Sequence, residues 1–301
     1  MPVPFIFGYT AAAWVIGCTM ISRRCNMPII VLTKKNLLIA LLCLALLVGG
    51  LFLWLRLRDQ PKTGKTAAAM ARVENYELNV LPMKSRELPV YGVGRSDNRI
   101  ALTIDAAWDA DKTPFILDTL DKYNVKATFF LCGVWVKQYP DFVKEIARRG
   151  HEIGNHSLTH PHMSRMDSIA IQKELSDLDD MLQELTGKRS TLFRPPFGEY
   201  NDTVVKAARE AGYEVIQWSR DTVDWKQDRS AQTILDGVLK KLKSGDIILC
   251  HNNGYKIETY LPVLIETAQQ KGFSFVTVSE LLLSGETSID NNGIQQAKKR
   301  P

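Results

Sequence analysis

The stretch from Gly154 to Met163, GNHSLTHPHM, holds three of the chain's five histidines. His156 and His160 stand four positions apart, a spacing that lets two imidazoles converge on one metal ion. Pro161 follows directly, and Gly154 and Asn155 precede, so the pair belongs to a loop or single turn after a short strand rather than to a long helix. A metal held there would act as a Lewis acid. Residues elsewhere suit the same chemistry. Asp105 is a carboxylate able to take a proton from water, and His251 is an imidazole able to return one to a leaving group. Arg194 next to Asp105 would favour the ionised base, while Asp224 near His251 would orient its ring and favour the charged acid. No Ser or Cys stands in a nucleophile-elbow context, which disfavours a covalent acyl-enzyme. Metal-assisted hydrolysis of an amide or ester is the class these groups support.

Those groups need a scaffold that brings them together. From Ile100 the chain alternates β-rich runs (IALTID, VKATFFL, HEIGN, TLFR, EVIQWS, DIILC, FSFVTV) with helical patterns near 113–122, up to 149, 169–185, 202–211, 231–242 and 259–270. Strands and helices trading at this pace predict a parallel sheet with crossover helices, and about seven such units favour a closed or nearly closed (β/α) barrel. No GxGxxG follows the first strand, so a dinucleotide fold has no support. On this scheme Asp105 ends the first strand, His156 follows the third, Arg194 ends the fourth, Asp221 and Asp224 follow the fifth, and His251 ends the sixth. All fall at carboxyl ends of strands, the face where such barrels build active sites.

A chain of 301 residues with 45% apolar residues can bury one large domain. With 38 basic against 33 acidic residues and no dense basic block, nucleic acid is not expected as a partner. The five cysteines show no CxxC pair, and Cys132 and Cys250 fall in apolar runs that read as core strands. Residues 36–55 include LLIALLCLALLVGGLFLWL, uncharged and flanked by Lys34, Lys35, Arg56 and Arg58, which predicts a transmembrane helix. The basic residues before it place 1–35 in the cytoplasm and all that follows outside; a weaker apolar stretch within 1–35 would be a second span if it inserts. Residues 56–98 read as an extracytoplasmic tether, 99–284 as the domain and 285–301 as a flexible tail.

The runs TIDAAWD, HSLTHPH, RPPFGEY, DTVDW and ILCHNNG resemble, in order, the five motifs of the polysaccharide deacetylase family. The resemblance covers residues 100–283 and implies an α/β fold, the distorted (β/α) barrel of the NodB homology type. It implies a carbohydrate esterase that removes acetyl groups from N-acetylated, peptidoglycan- or chitin-like glycan. Flanking text such as NVKATFFL and FVTVSELL is similar to a membrane-anchored, sporulation-associated branch. Carried over, the resemblance makes Asp105 the base, Arg194 its partner, His251 the acid and Asp224 the residue that tunes it. His156 and His160 become ligands of a divalent metal, zinc by the family's habit. The backbone N–H of Phe197 would join in stabilising the oxyanion, and Trp225 and Leu249 would line the acetyl pocket.

One position departs from the family pattern. Where the first motif usually carries a second aspartate, the third metal ligand, this chain has Ala106. Asp109 is near enough to be considered as a substitute, but reads better as a loop acid. Two alternatives follow: a glycan-binding homologue that is catalytically weak or inactive, and, outside the family, a barrel hydrolase of a small amide or ester. Retention of Asp105, Arg194, Asp224 and His251 together argues for the deacetylase, because a pure binding module has no need of an acid and a base.

Overall fold

Strand and helix alternate through the computed structural model, which describes residues 86–298. β1 (Gly92–Val93) and β2 (Arg99–Ala106) are followed by α1 (Thr113–Lys122), β3 (Thr128–Leu131), α2 (Gly133–Gln138), α3 (Pro140–Arg148) and β4 (Glu152–Asn155). The long α4 (Ser168–Thr186) leads to β5 (Leu192–Phe193), α5 (Asp202–Glu210), β6 (Glu214–Val215) and β7 (Arg220–Asp221). Then come α6 (Ala231–Leu239), β8 (Ile247–His251), α7 (Ile257–Gln270), β9 (Ser274–Val276), α8 (Val278–Leu281), β10 (Thr287–Ile289) and β11 (Ile294–Ala297).

The main sheet runs β6-β5-β4-β3-β2-β8-β7, with β9 also paired to β2, and every pair is parallel. β2 is its pivot, and its sequence shows why. Residues 100–106 are all buried, so both faces are covered, by helices on one side and the barrel interior on the other. Ile100, Leu102, Ile104 and Ala106 join the apolar core with α1 and α7, while the two polar residues, Thr103 and Asp105, share the opposite face at period two. The helices follow equally direct rules. α4 starts where the Asp167 side chain accepts the Ala170 N–H at 2.8 Å and stops at Gly187, whose φ is 73°. It buries Ile171, Leu175, Leu178 and Leu182, one face at helical spacing.

Four expectations from the sequence need correction. The parallel sheet is a half-barrel: β6 and β7 end the strand order and do not pair with each other, so the ring is not closed by strands. Part of the segment read as tether crosses this opening. Val90 bridges Ile216 and Gly92 bridges Asp246, and Gly245 makes the approach possible because a Cβ there would stand 1.7 Å from the Val93 carbonyl oxygen. The folded domain therefore begins before residue 99. The expected flexible tail folds as well: β10 and β11 form a hairpin that pairs with β1. Its polarity hid it, since Gln295 is buried and uses its side-chain carbonyl to accept the Leu283 N–H at 2.8 Å. The helical run before residue 149 is two helices, broken at Tyr139 ahead of Pro140. The transmembrane helix at 36–55 and the segment 1–35 lie outside the described residues, among which no helix is long and apolar enough to cross a membrane.

Candidate active site

Five strands of the half-barrel deliver polar residues to the same end. Asp105 is the penultimate residue of β2, His156 follows β4, Arg194 follows β5, Asp221 ends β7, and His251 ends β8. Between them opens a cavity of about 700 Å³ lined by Asp105, His156, His160, Phe197, Trp225, Leu249 and His251. The structure thus brings together every residue the sequence singled out. Arg194 and Asp224 stand behind the lining, fully buried.

The basic half of the site is an ion pair locked in the barrel interior. Arg194 lies between Phe130 and Trp218, its guanidinium carbon 4.1 Å and 5.5 Å from their ring centres. One nitrogen donates to both Asp105 Oδ1 (2.6 Å) and Thr103 Oγ1 (2.8 Å), and the other to the Gln217 carbonyl at 3.0 Å. The period of β2 is what sets Thr103 and Asp105 side by side for that nitrogen. Burial pushes the Asp105 carboxyl up, but Arg194, with His156 and His251 nearby, outweighs it and holds the group below the usual carboxylate range. Asp105 is ionised at neutral pH.

The acidic half faces it from β8. His251 Nδ1 lies 2.7 Å from Asp224 Oδ1, and the His251 backbone N–H donates to Asp224 Oδ2 at 3.0 Å. Burial pulls the imidazole down, yet the hydrogen bond and charge of Asp224, added to those of Asp105 and Asp221, raise it above the ordinary histidine value. The pairing favours the charged imidazolium, the form able to give a proton.

The histidine pair is set by backbone. Asn155 Oδ1 accepts the Ser157 N–H at 2.9 Å, and Ser157 Oγ accepts the His160 N–H at 3.0 Å, turning the loop back so that the two rings meet with centroids 4.9 Å apart. Ser157 and His160 both adopt positive φ, as do Asp109, Phe197 and Val223 around the same cavity. Such backbone persists only where neighbours over-determine it, and of these five residues Asp109, His160 and Phe197 line the cavity. His156 Nδ1 stands 2.8 Å from the Arg194 carbonyl, which can only accept, so Nδ1 carries the hydrogen and Nε2 keeps its lone pair, 3.8 Å from Asp105 Oδ2. His160 Nδ1 is buried without a partner. Burial lowers both imidazoles, His160 to about 4, which keeps them neutral and able to ligate.

These two nitrogens fit a metal as a two-donor set. A third protein donor is absent: among the described residues no group of three or more His, Cys, Asp or Glu could hold an ion. Ala106 is buried in the apolar core and does not line the cavity. Asp109 does line it, on a loop whose Asp109 carbonyl accepts from Trp135 Nε1 and Asn252 Nδ2, each at 2.6 Å. This agrees with its reading as a loop acid.

Sequence reasoning missed part of the lining. Trp108 and Tyr255 are half-exposed at the mouth, and Trp218 lies deeper. Trp108 packs edge-on against His160 at 5.8 Å, while Phe197 covers the other side at 4.5 Å. Trp108 sits inside the first motif and could have been found there. Tyr255 carries no comparable signal.

Comparison with known proteins shows the family of the chain. Residues 92–216 match the Polysaccharide deacetylase family. A peptidoglycan-N-acetylglucosamine deacetylase of Bacillus cereus is 37% identical over 195 residues, covering 63% of this chain and 91% of the relative. A CE4 family pseudoenzyme from Bacillus anthracis superposes with a TM-score of 0.62 at 35% identity, covering 65% of this chain and 69% of that one. A mutant of that pseudoenzyme, described as having restored enzymatic activity, is alike at TM-score 0.62 and 36% identity, over 65% of this chain and 71% of its own. The chain belongs to the polysaccharide deacetylase family, enzymes acting on the amide bonds of N-acetylated glycans.

Proposed function

We propose that the protein deacetylates an N-acetylated, peptidoglycan-like glycan, with Asp105 as general base and His251 as general acid. The observation that carries this is the pairing of a carboxylate, held by Arg194 at 2.6 Å, with an imidazole, held by Asp224 at 2.7 Å, across one cavity. Asp105 takes the proton of the attacking water, and His251 delivers one to the departing amine nitrogen. Arg194 keeps the base ionised, and Asp224 keeps the acid charged and oriented. Trp225 and Leu249 offer the apolar wall an acetyl methyl requires, and the Phe197 backbone N–H would help to stabilise the oxyanion. His156 and His160 would hold a divalent metal such as zinc, which supplies Lewis-acid polarisation of the acetyl carbonyl.

A second reading has its own support. With Ala106 in the core, a metal at this site would have two protein donors, His156 and His160, and a similar structure is described as a pseudoenzyme. On this reading the chain binds the glycan and turns it over weakly or not at all.

The substitution Ala106→Asp separates the two. Ala106 ends β2, so a carboxylate there either stays in the core unpaired or turns out to meet the metal beside the histidines. We expect Ala106→Asp to unfold at lower temperature than the parent without metal and to recover with zinc, the unpaired buried charge costing about 3 kcal/mol. Acetate release should rise with it. If the parent already releases acetate at the variant's rate, the vacant-ligand account is wrong; if glycan binds but neither releases acetate, the second reading stands.

We further propose that residues 36–55 anchor the protein in the cell membrane with the domain outside, as in the sporulation-associated branch it resembles. The uncharged run between flanking basic residues supports this. The full chain should then fractionate with membranes and resist carbonate extraction, and recovery in the carbonate supernatant would remove the anchor.

A further inference from the structure

We propose that Tyr260 is a positioning residue for the acid half of the site: its hydroxyl fixes the Asp224 carboxylate in the orientation that serves His251 and takes up part of that carboxylate's charge. The inference rests on the reading of His251 as the acid. Nothing in the sequence motifs points to Tyr260, which lies in the first turn of α7, after the loop that follows His251.

The geometry is that of a closed relay. Tyr260 is fully buried, and its hydroxyl donates to Asp224 Oδ2 at 2.5 Å. The same oxygen accepts the His251 backbone N–H at 3.0 Å, which leaves Oδ1 to the His251 ring at 2.7 Å. The loop between β8 and α7 closes over the carboxylate so tightly that a Cβ on Gly254 would lie 2.2 Å from Oδ2. Lys112 Nζ pins that loop by donating to the Gly254 carbonyl at 2.8 Å.

Two physical consequences follow. A carboxylate with no exposure to water needs each lone-pair direction satisfied, and the phenol supplies the donor that His251 does not. A charge-assisted donor on Oδ2 also withdraws negative charge from the carboxylate, so Asp224 attracts the imidazolium less strongly than an unshared carboxylate would. The relay keeps His251 charged but still willing to release its proton. Burial, with Cys250 and Asp224 beside it, pushes the Tyr260 phenol well above its ordinary range, so it remains a donor wherever the site works. The other groups facing His251 are Asp105 on β2, Asp221 on β7, and His156 and His160 after β4. None of these touches the Tyr260 hydroxyl; the Cys250 thiol does, but burial pushes it well above its ordinary range and keeps it neutral, so a change confined to the hydroxyl reports on the relay through Asp224.

The test follows the titration of His251 in the full chain carrying isotope-labelled histidines, which number five, with His251→Ala to assign its signal. In Tyr260→Phe the His251 titration should move to higher pH, and kcat for acetate release should fall about tenfold with KM unchanged. Placing 3-fluorotyrosine at position 260 strengthens the donor while keeping the packing, and should move the titration the other way. In an Asp224→Asn background, Tyr260→Phe should leave the His251 titration where it is. An unmoved titration in both position-260 variants, or the same shift with and without Asp224, overturns the proposal. The titration needs no turnover, so a chain that releases no acetate contradicts the proposed function without deciding the relay.

Discussion

At the residue scale, the chemistry depends on two titratable groups displaced in opposite directions. Asp105 is held below the carboxylate range by Arg194 against the effect of its burial, and His251 is held above the histidine range by Asp224 against the effect of its own. A base must be deprotonated and an acid protonated, so the working window runs from below the ordinary aspartate value to above the ordinary histidine value. The rate should fall as pH rises through the His251 value, because the acid is then lost. Asp224→Asn should bring that alkaline limb to lower pH, as the imidazolium loses its partner, and a pH–rate profile in which the limb stays put would detach Asp224 from the acid. Both pairs were legible in the sequence, because each of the four residues sits in a motif at a strand end. Tyr260 was not, since a tyrosine on an amphipathic helix looks like core, and only the fold shows its hydroxyl 2.5 Å from the Asp224 carboxylate.

At the element scale, the strand-end placement was legible because parallel strands gather their carboxyl ends whatever the details of closure. α1 and α4 were placed within a residue of their observed bounds, both being strongly periodic. Closure itself was not legible. β5, β6 and β7 are two residues each, too short for a period to show, and the segment crossing the opening beside them is made of backbone contacts around Val90 and Gly92. Gly245 tests the importance of this plug. Its φ of 81° and the Val93 carbonyl 1.7 Å from a would-be Cβ leave no room for alanine, so Gly245→Ala should destabilise by about 2–4 kcal/mol in denaturant melts. A loss under about 0.5 kcal/mol, the range of ordinary surface changes, would mean that the segment before β2 is not part of the folded unit. The hairpin at β10 and β11 escaped for a different reason: its strands are polar and rely on Gln295 rather than on apolar burial.

At the scale of the whole molecule, the fold, the cavity and the family agree on hydrolysis of an acetyl group, while one alanine in the first motif bears on how well a metal would be held. The retained acid and base give the molecule two charged groups that a glycan-binding surface would not need. Half-exposed Trp108, Phe197, Trp225 and Tyr255 surround the cavity mouth with aromatic faces, the surface on which sugar rings stack. The most direct test of the central claim is acetate release from an N-acetylglucosamine oligomer by the full chain in excess zinc, beside Asp105→Asn and His251→Ala. The account predicts release by the parent and a loss of about 10²-fold or more in each variant, with the fold intact by circular dichroism. Equal release by all three proteins would contradict it.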